Sequence, residues 1–173
     1  MSVSKRDLFS SLKFYQALKP KLYTTWANAG KAIDLRGYEG AIIVVNVGTV
    51  GSAGALGATS FIQLKLEHAL GSTYDTAASA SDGTWSEVYP SQMIHSVIGM
   101  AGAYSALDSG IFQSITSGTS GEEETVFVVG YKGPRRFIRL YVSGEDGPSA
   151  IEMGAIAVLG LPQDWAVTAA VGD

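Results

Sequence analysis

The chain has 173 residues and a formal net charge of −4, with 46% hydrophobic and only 16% charged residues. This composition is typical of one folded domain and excludes a disordered chain. The acidic balance argues against a general nucleic-acid binder, because such proteins need a cationic field around phosphates. Cysteine is absent, and no apolar run approaches the roughly 20 residues of a membrane helix. We therefore expect no nucleic-acid partner, no membrane partner and no disulfide, and we expect synthesis in the cytoplasm.

Residues 1–22 are predicted to form an N-terminal arm or a short helix. Leu8, Leu12 and Tyr15 have helical spacing, and Pro20 would end such a helix. An extended arm that lies on a neighbouring molecule fits the same residues. Both interpretations stay open at this stage.

Two segments in the first half of the chain have strand patterns. AIIVVNVG at residues 41–48 is β-branched and closed by glycine, which is typical of a central strand buried on both faces. FIQLKLEH at residues 61–68 alternates, with Ile62, Leu64 and Leu66 on one side and polar residues on the other. This alternation predicts a half-buried antiparallel strand.

Three further strand segments lie in the C-terminal half, at residues 125–131, 135–143 and 150–160. The connections between them contain Pro134 and Pro148, which suits proline because it cannot donate to a strand ladder. We expect these three strands to form a meander.

Strand segments thus dominate the chain, and glycine-rich loops without βαβ alternation separate them. The pattern predicts an all-β fold, an antiparallel β-sandwich or barrel, with a jelly-roll-like order as one option. We assign this sandwich to residues 23–173 as a single domain that follows the arm or short helix.

The strand at residues 135–143 raises the question of what covers its second face. One face is largely apolar and consists of Arg136, Ile138, Leu140 and Val142; the other is mixed and consists of Arg135, Phe137, Arg139 and Tyr141. The arginines of the mixed face can lie over apolar neighbours at a polar turn. A protein interface is the second interpretation, because planar guanidinium groups and aromatic rings are enriched there. A second sheet of the same chain is the third.

Residue patterns for catalysis or metal binding are weak. His68 and His95 lie in different segments without a cluster of acidic or histidine neighbours. Residues 122–124 are three adjacent glutamates, whereas acid–base catalysis needs opposed carboxyl groups in a cleft. The glycines at positions 48–57 match neither phosphate-binding motif. We expect no enzyme, no cofactor and no metal site.

Both ends of the chain resemble a family of small structural proteins of tailed bacteriophages. The resemblance lies in DLFSSLKFYQALKPKLYTTWANAGKAIDLRGYEGAIIVVNVG, in VGYKGPRRFIRLYVSG and in the closing AVLGLP. Its most distinctive elements are Ala-Ile-Asp-Leu before Gly-Tyr, the β-branched strand after it, and Gly-Tyr-Lys-Gly-Pro-Arg-Arg-Phe-Ile-Arg. Members of this family are head decoration, or cement, proteins.

The resemblance implies a structural role without catalytic residues. The chain would sit on the capsid exterior of the virion after synthesis in the host cytoplasm, and would bridge subunits of the major capsid protein as a homotrimer. A sister subunit or capsid protein would then cover the mixed face, with Phe137 and Tyr141 as anchors. The predicted interface consists of Arg135, Phe137, Arg139, Tyr141, Leu8, Phe9 and Leu12.

Two other functions fit the same residues. A tail or fibre-base structural protein would share the resemblance. A carbohydrate-binding β-sandwich would use Trp26, Trp85 and Trp165 as a stacking platform. Copy number in intact particles distinguishes a tail or fibre-base protein from a decoration protein. Glycan binding would identify a carbohydrate-binding protein.

Overall fold

A computed structural model of the chain describes residues 12–25, 27–51, 56–69, 85–95, 110–116, 122–146, 148 and 150–162. The described residues form two antiparallel sheets that pack together, which confirms the predicted all-β sandwich. One sheet has the order β1 (Lys13–Tyr23), β11 (Ile151–Pro162), β4 (Tyr38–Val50), β9 (Thr125–Tyr131) and β7 (Met93–His95). The other has the order β2 (Ala27–Ala29), β10 (Phe137–Gly144), β5 (Ile62–Ala69) and β6 (Ser86–Glu87), with β3 (Ile33–Asp34) also on β10 and β8 (Ile111–Ile115) on β5. We call them the five-stranded and the six-stranded sheet.

The order of pairing is that of a jelly roll. The first strand pairs with the last, β1 with β11, and β2 pairs with β10. Further inward, β4 pairs with β9, and β5 pairs with β6 and β8. The chain therefore behaves as a long antiparallel ribbon rolled into two sheets, which is one of the options that the sequence predicted.

The core lies between the sheets and follows the alternation of the strands. Ile43, Val45 and Val47 of β4 point inward from the five-stranded sheet and are at most 1% exposed. Leu66 of β5 and Leu140 of β10, opposite each other in the six-stranded sheet, are fully buried. Each central strand contributes one apolar face to this core, as expected for sheets that pack face to face.

The prediction for residues 41–48 is confirmed for the central position of the strand but not for its burial. This segment is the central part of β4, which lies between β11 and β9. However, only one of its faces is buried: Ile42 is 46% exposed and Asn46 is exposed. The expectation of burial on both faces is wrong, because only one sheet packs against β4 and nothing in the described chain covers its other side.

The three C-terminal strands form at the predicted places but not as a meander. β9 and β11 belong to the five-stranded sheet, whereas β10 belongs to the six-stranded sheet. The connections after β9 and after β10 therefore cross between sheets. Residues 132–136 make the first crossing, and their glycine and proline fit a change of direction there as well as they would fit a hairpin.

The predicted arm at residues 1–22 contains a strand instead of a helix from Lys13 onward. β1 pairs along β11 and buries Ala17 and Leu18, so this part belongs to the sandwich. Irregular register around Pro20 fits an edge strand that contains proline. A Cβ added at Gly154 of β11 would lie 2.9 Å from the Cβ of Pro20, so glycine there makes room for the proline ring. Residues 1–11 lie outside the described chain.

Candidate protein-interaction surfaces

Arg139 on the mixed face of β10 is bound by residues of its own chain. Its side chain donates a hydrogen bond from Nε to Oε2 of Glu67 at 2.6 Å, directly across the strand pair. The guanidinium lies 4.3 Å from the ring centre of Trp85 and 5.9 Å from that of Tyr141. Arg139 is only 7% exposed. The planar stacking and the charged pair that the sequence predicted for an interface are both present, and they are made inside one subunit.

Phe137 is likewise covered by its own chain. It is 3% exposed and packs with Ala69 and Trp85 in a small cluster on the outer side of the six-stranded sheet. The guanidinium of Arg136 lies 4.6 Å from its ring centre. The ring therefore closes a small apolar cluster on this sheet.

Arg136 lies just before β10 and makes a bidentate ion pair with Asp34 of β3. Its Nε and one terminal nitrogen donate to the two carboxylate oxygens at 2.8 and 2.6 Å. The hydrogen bond from Arg136 lowers the pKa of Asp34 below its ordinary value of 3.8. This pair joins the short β3 to the start of β10.

A buried polar contact joins the two sheets. Nδ1 of His68, on β5, lies 3.0 Å from the hydroxyl of Tyr131, on β9 of the opposite sheet. The same hydroxyl accepts a hydrogen bond from the backbone N–H of Arg135 at 3.0 Å. Burial lowers the pKa of His68, and the charge of Arg135 lowers it further. A neutral imidazole whose Nδ1 accepts a hydrogen bond from the tyrosine hydroxyl fits this geometry.

The residues predicted for an interface thus differ in exposure and in location. Phe137 and Arg139 are buried within the subunit, whereas Arg135 and Tyr141 are partly exposed. Leu12 is also partly exposed and lies beside the five-stranded sheet, so the structure does not bring it to the mixed face. Leu8 and Phe9 lie outside the described residues, as do Trp26 and Trp165. That these residues bind a partner stays a prediction.

A surface that the sequence analysis missed covers the outer side of the five-stranded sheet. We call it the apolar face; it consists of Phe14, Leu22, Ile42, Val44, Ile94, Val126, Val128, Ile156 and Val158. Six of these side chains are between 46% and 60% exposed. Among the described residues, Tyr89 is the one large hydrophobic residue of comparable exposure elsewhere.

The apolar face is continuous across all five strands. Ile42 on β4 lies opposite Gly130 and Val158 on its two neighbours. Gly130 in turn lies opposite Ile94, and Val158 lies opposite Phe14. This row therefore runs without interruption from one edge of the sheet to the other, and it contains no charged side chain.

Glycines lower the surface between the protruding side chains. A hollow of about 500 Å³ lies around Ile42, with Gly130 and Gly160 in its lining. A second hollow of about 660 Å³ lies around Ile156, with Gly154 in its lining. The apolar face thus has both ridges and depressions.

The chemistry of the apolar face suits contact with another protein surface. Within β9, β4 and β11, Glu152 is the one charged residue of the described chain that alternates outward. Catalytic and small-ligand sites need convergent polar groups, and the row through Ile42 has none, although Gln16, Asn46 and Glu152 line the hollow around Ile156. Contiguous exposed apolar areas of this kind mark interaction sites.

The sequence does carry a signal for this surface. β4 has large apolar residues at both even and odd positions of AIIVV, and β11 has them in AIAVL. For the run in β4, burial on both faces within one subunit is the prediction from sequence. Such runs equally indicate a sheet with one face in the core and one face available to a partner.

Comparison with protein-family models, with curated proteins and with solved structures found no match for this chain. No group of three or more metal-ligating residues occurs in the described part of the chain. The same residues include no helix long and apolar enough to cross a membrane.

Proposed function

We propose that this chain is a structural protein of a bacteriophage virion, of the head decoration type, which binds the capsid exterior and bridges subunits of the major capsid protein. The observation that carries the proposal is the apolar face, which runs across five strands, has no charged side chain in its central row and is left exposed by its own described chain. A contiguous exposed apolar surface of this kind favours a protein partner, because its burial removes apolar area from water.

Two further features support the proposal. The jelly-roll order is an architecture that viral capsid domains use, although lectins and cupins use it too, so this support is a fold-level analogy. The resemblance of both chain ends to decoration proteins supplies the specific role, including a homotrimeric state and a location in the virion. Neither feature requires catalytic residues.

Copy number in purified particles tests the proposal against the tail or fibre-base alternative. A decoration protein is present in hundreds of copies, on the order of the number of capsid subunits, and heads separated from tails retain it. A tail protein is present in few copies and leaves with the tails. Absence of the protein from particles would refute both roles.

The carbohydrate-binding alternative depends on an accessible aromatic platform. Trp85, the described tryptophan, is only partly exposed and carries the guanidinium of Arg139 over its ring. A sugar would have to displace that guanidinium to stack on the same side of the ring. Binding on a glycan array that is lost in Trp85→Ala, with the fold retained, would favour this function over the structural one.

A further inference from the structure

The five-stranded sheet has a protected edge at β1 and an unprotected face. β1 forms one edge, and it carries exposed Lys13, Lys19 and Lys21 together with Pro20. Lysine, proline and bulges at an edge strand prevent other chains from adding to the sheet. The edge is thus guarded against unspecific pairing, whereas the neighbouring apolar face carries no comparable guard. An exposed apolar face in a sheet with a protected edge indicates a specific contact with another protein.

The apolar face is also suited to meet a copy of itself. Identical faces repel each other when they carry net charge, but the centre of this one is uncharged and Glu152 lies towards one end. Protruding Ile42 and Ile156 lie next to the two hollows of about 500 and 660 Å³. A surface with ridges and hollows side by side supplies both halves of an isologous contact.

The size of the face is close to the lower limit for a specific pair. Five strands about 4.8 Å apart and about six residues of strand length give a face of about 24 by 20 Å, or roughly 500 Å². Two such faces bury about 1,000 Å² in total before the relief of the side chains is counted, which is about the least area expected of a biological interface. Two sheets that pack in this way interdigitate their side chains at a separation of about 10 Å.

We propose that the apolar face binds a second copy of this chain, sheet on sheet, in an isologous contact. The inference rests on the proposed function in that both assign the face to a protein partner; here that partner is a second copy, and another surface of the pair meets the shell. Because an isologous pair is symmetric, every other surface of the subunit occurs twice in it, which suits the bridging of capsid subunits. The isolated protein then contains an even number of copies: two, or six where the proposed trimer also forms.

Light scattering on the purified full chain, with two arginine variants and a matched control, tests the inference. We expect a mass of two or six times 18.1 kDa for the parent protein. Ile156→Arg and Val126→Arg place a charge on the face and should weaken self-association by about a hundredfold. Gln63→Arg places the same charge on the outer side of the six-stranded sheet and should leave the mass unchanged. Thermal unfolding shows whether each variant folds.

A cross-linking experiment keeps the inference testable should the arginine variants fail to fold. The chain has no cysteine, so Ile42→Cys introduces a single thiol near the centre of the face. A short bismaleimide should then link two chains, while the control Gln63→Cys should stay unlinked. Absence of linked pairs for Ile42→Cys would overturn the inference.

Binding to phage heads separates failure of this inference from failure of the proposed function. A monomeric or trimeric parent whose face variants lose head binding would overturn the pair and leave the decoration role standing, with capsid protein on the face. An even-numbered parent that does not bind heads would support the pair and overturn the decoration role. A monomer that binds no heads would overturn both.

Discussion

The outer surfaces of the two sheets differ in whether the subunit itself covers their side chains. The six-stranded sheet carries arginines and aromatic rings outward, and Arg139 is neutralised by Glu67 and stacked on Trp85. The five-stranded sheet carries β-branched and aromatic side chains outward, and the described chain leaves them exposed. The comparison shows that residue type alone does not reveal an interface. The arginine and aromatic residues, which are typical of interfaces, find their partners within the subunit. The apolar residues, which are typical of a core, lie on its surface.

Two adjacent isoleucines of β4 test whether the inward and the outward face of this strand contribute differently to stability. Ile43 is fully buried between the sheets, whereas Ile42 points outward and is 46% exposed. We expect Ile43→Ala to lower the free energy of unfolding by about 2 to 5 kcal/mol, because it leaves a cavity in the core. Ile42→Ala should lower it by less than about 1 kcal/mol under conditions where the protein is monomeric. Chemical denaturation of both variants measures the difference. Equal losses would mean that both faces of β4 are core.

Arg139 tests the other surface. Arg139→Ala leaves Glu67 without its partner in a mostly buried position, so we expect a loss of about 3 kcal/mol in the free energy of unfolding. Arg139→Lys keeps the charge but loses the planar stack on Trp85, and should recover only part of this loss. Arg36→Ala is the control, because the Arg36 side chain is 72% exposed at 3.4 Å from Asp34, and its loss should be below about 1 kcal/mol.

A different result for Arg139 would restore the interface interpretation. Should Arg139→Ala fold as stably as the parent while self-association or head binding weakens, the contacts with Glu67 and Trp85 contribute little and the mixed face binds a partner. Combining Arg139→Ala with Glu67→Gln in a double-mutant cycle isolates the pair. A coupling near zero would argue against the intramolecular role.

The sequence predicts the strands better than it predicts their partners. The predictions of β4, β5, β9, β10 and β11 depend on residue type and patterning within each segment, and so on neighbouring residues only. The partner of Arg139 is 72 positions away in the chain, and its identity depends on the register between β5 and β10. Register and sheet membership are non-local, so the meander was wrong and the mixed face could not be assigned. The strand character of residues 13–22 was hidden because Pro20 and the irregular register interrupt the alternation.

The contact between His68 and Tyr131 connects the two sheets and should respond to loss of one hydroxyl. Tyr131→Phe leaves Nδ1 of His68 and the backbone N–H of Arg135 without their buried partner. We expect a loss of about 1 to 2 kcal/mol in the free energy of unfolding. Tyr141→Phe, on the partly exposed outer side, is the control and should change it by less than about 0.5 kcal/mol. Equal effects of the two variants would mean that the inter-sheet contact adds nothing.

The smallest expected effect is the pH dependence that His68 contributes. Burial, and then the charge of Arg135, lower the pKa of His68 in the folded protein below the ordinary value of 6.5. The unfolded chain therefore binds a proton at pH values where the folded chain does not, and stability falls as the pH drops below 6.5 towards the folded pKa. The pKa of Asp34 is lowered from 3.8. The stability that Asp34 contributes is therefore lost only at more acidic pH than the stability that depends on His68. Denaturation at about pH 8 and about pH 5 should show a loss for the parent protein that is smaller in His68→Gln, because glutamine does not titrate. The same pH dependence in both proteins would assign the loss to other groups.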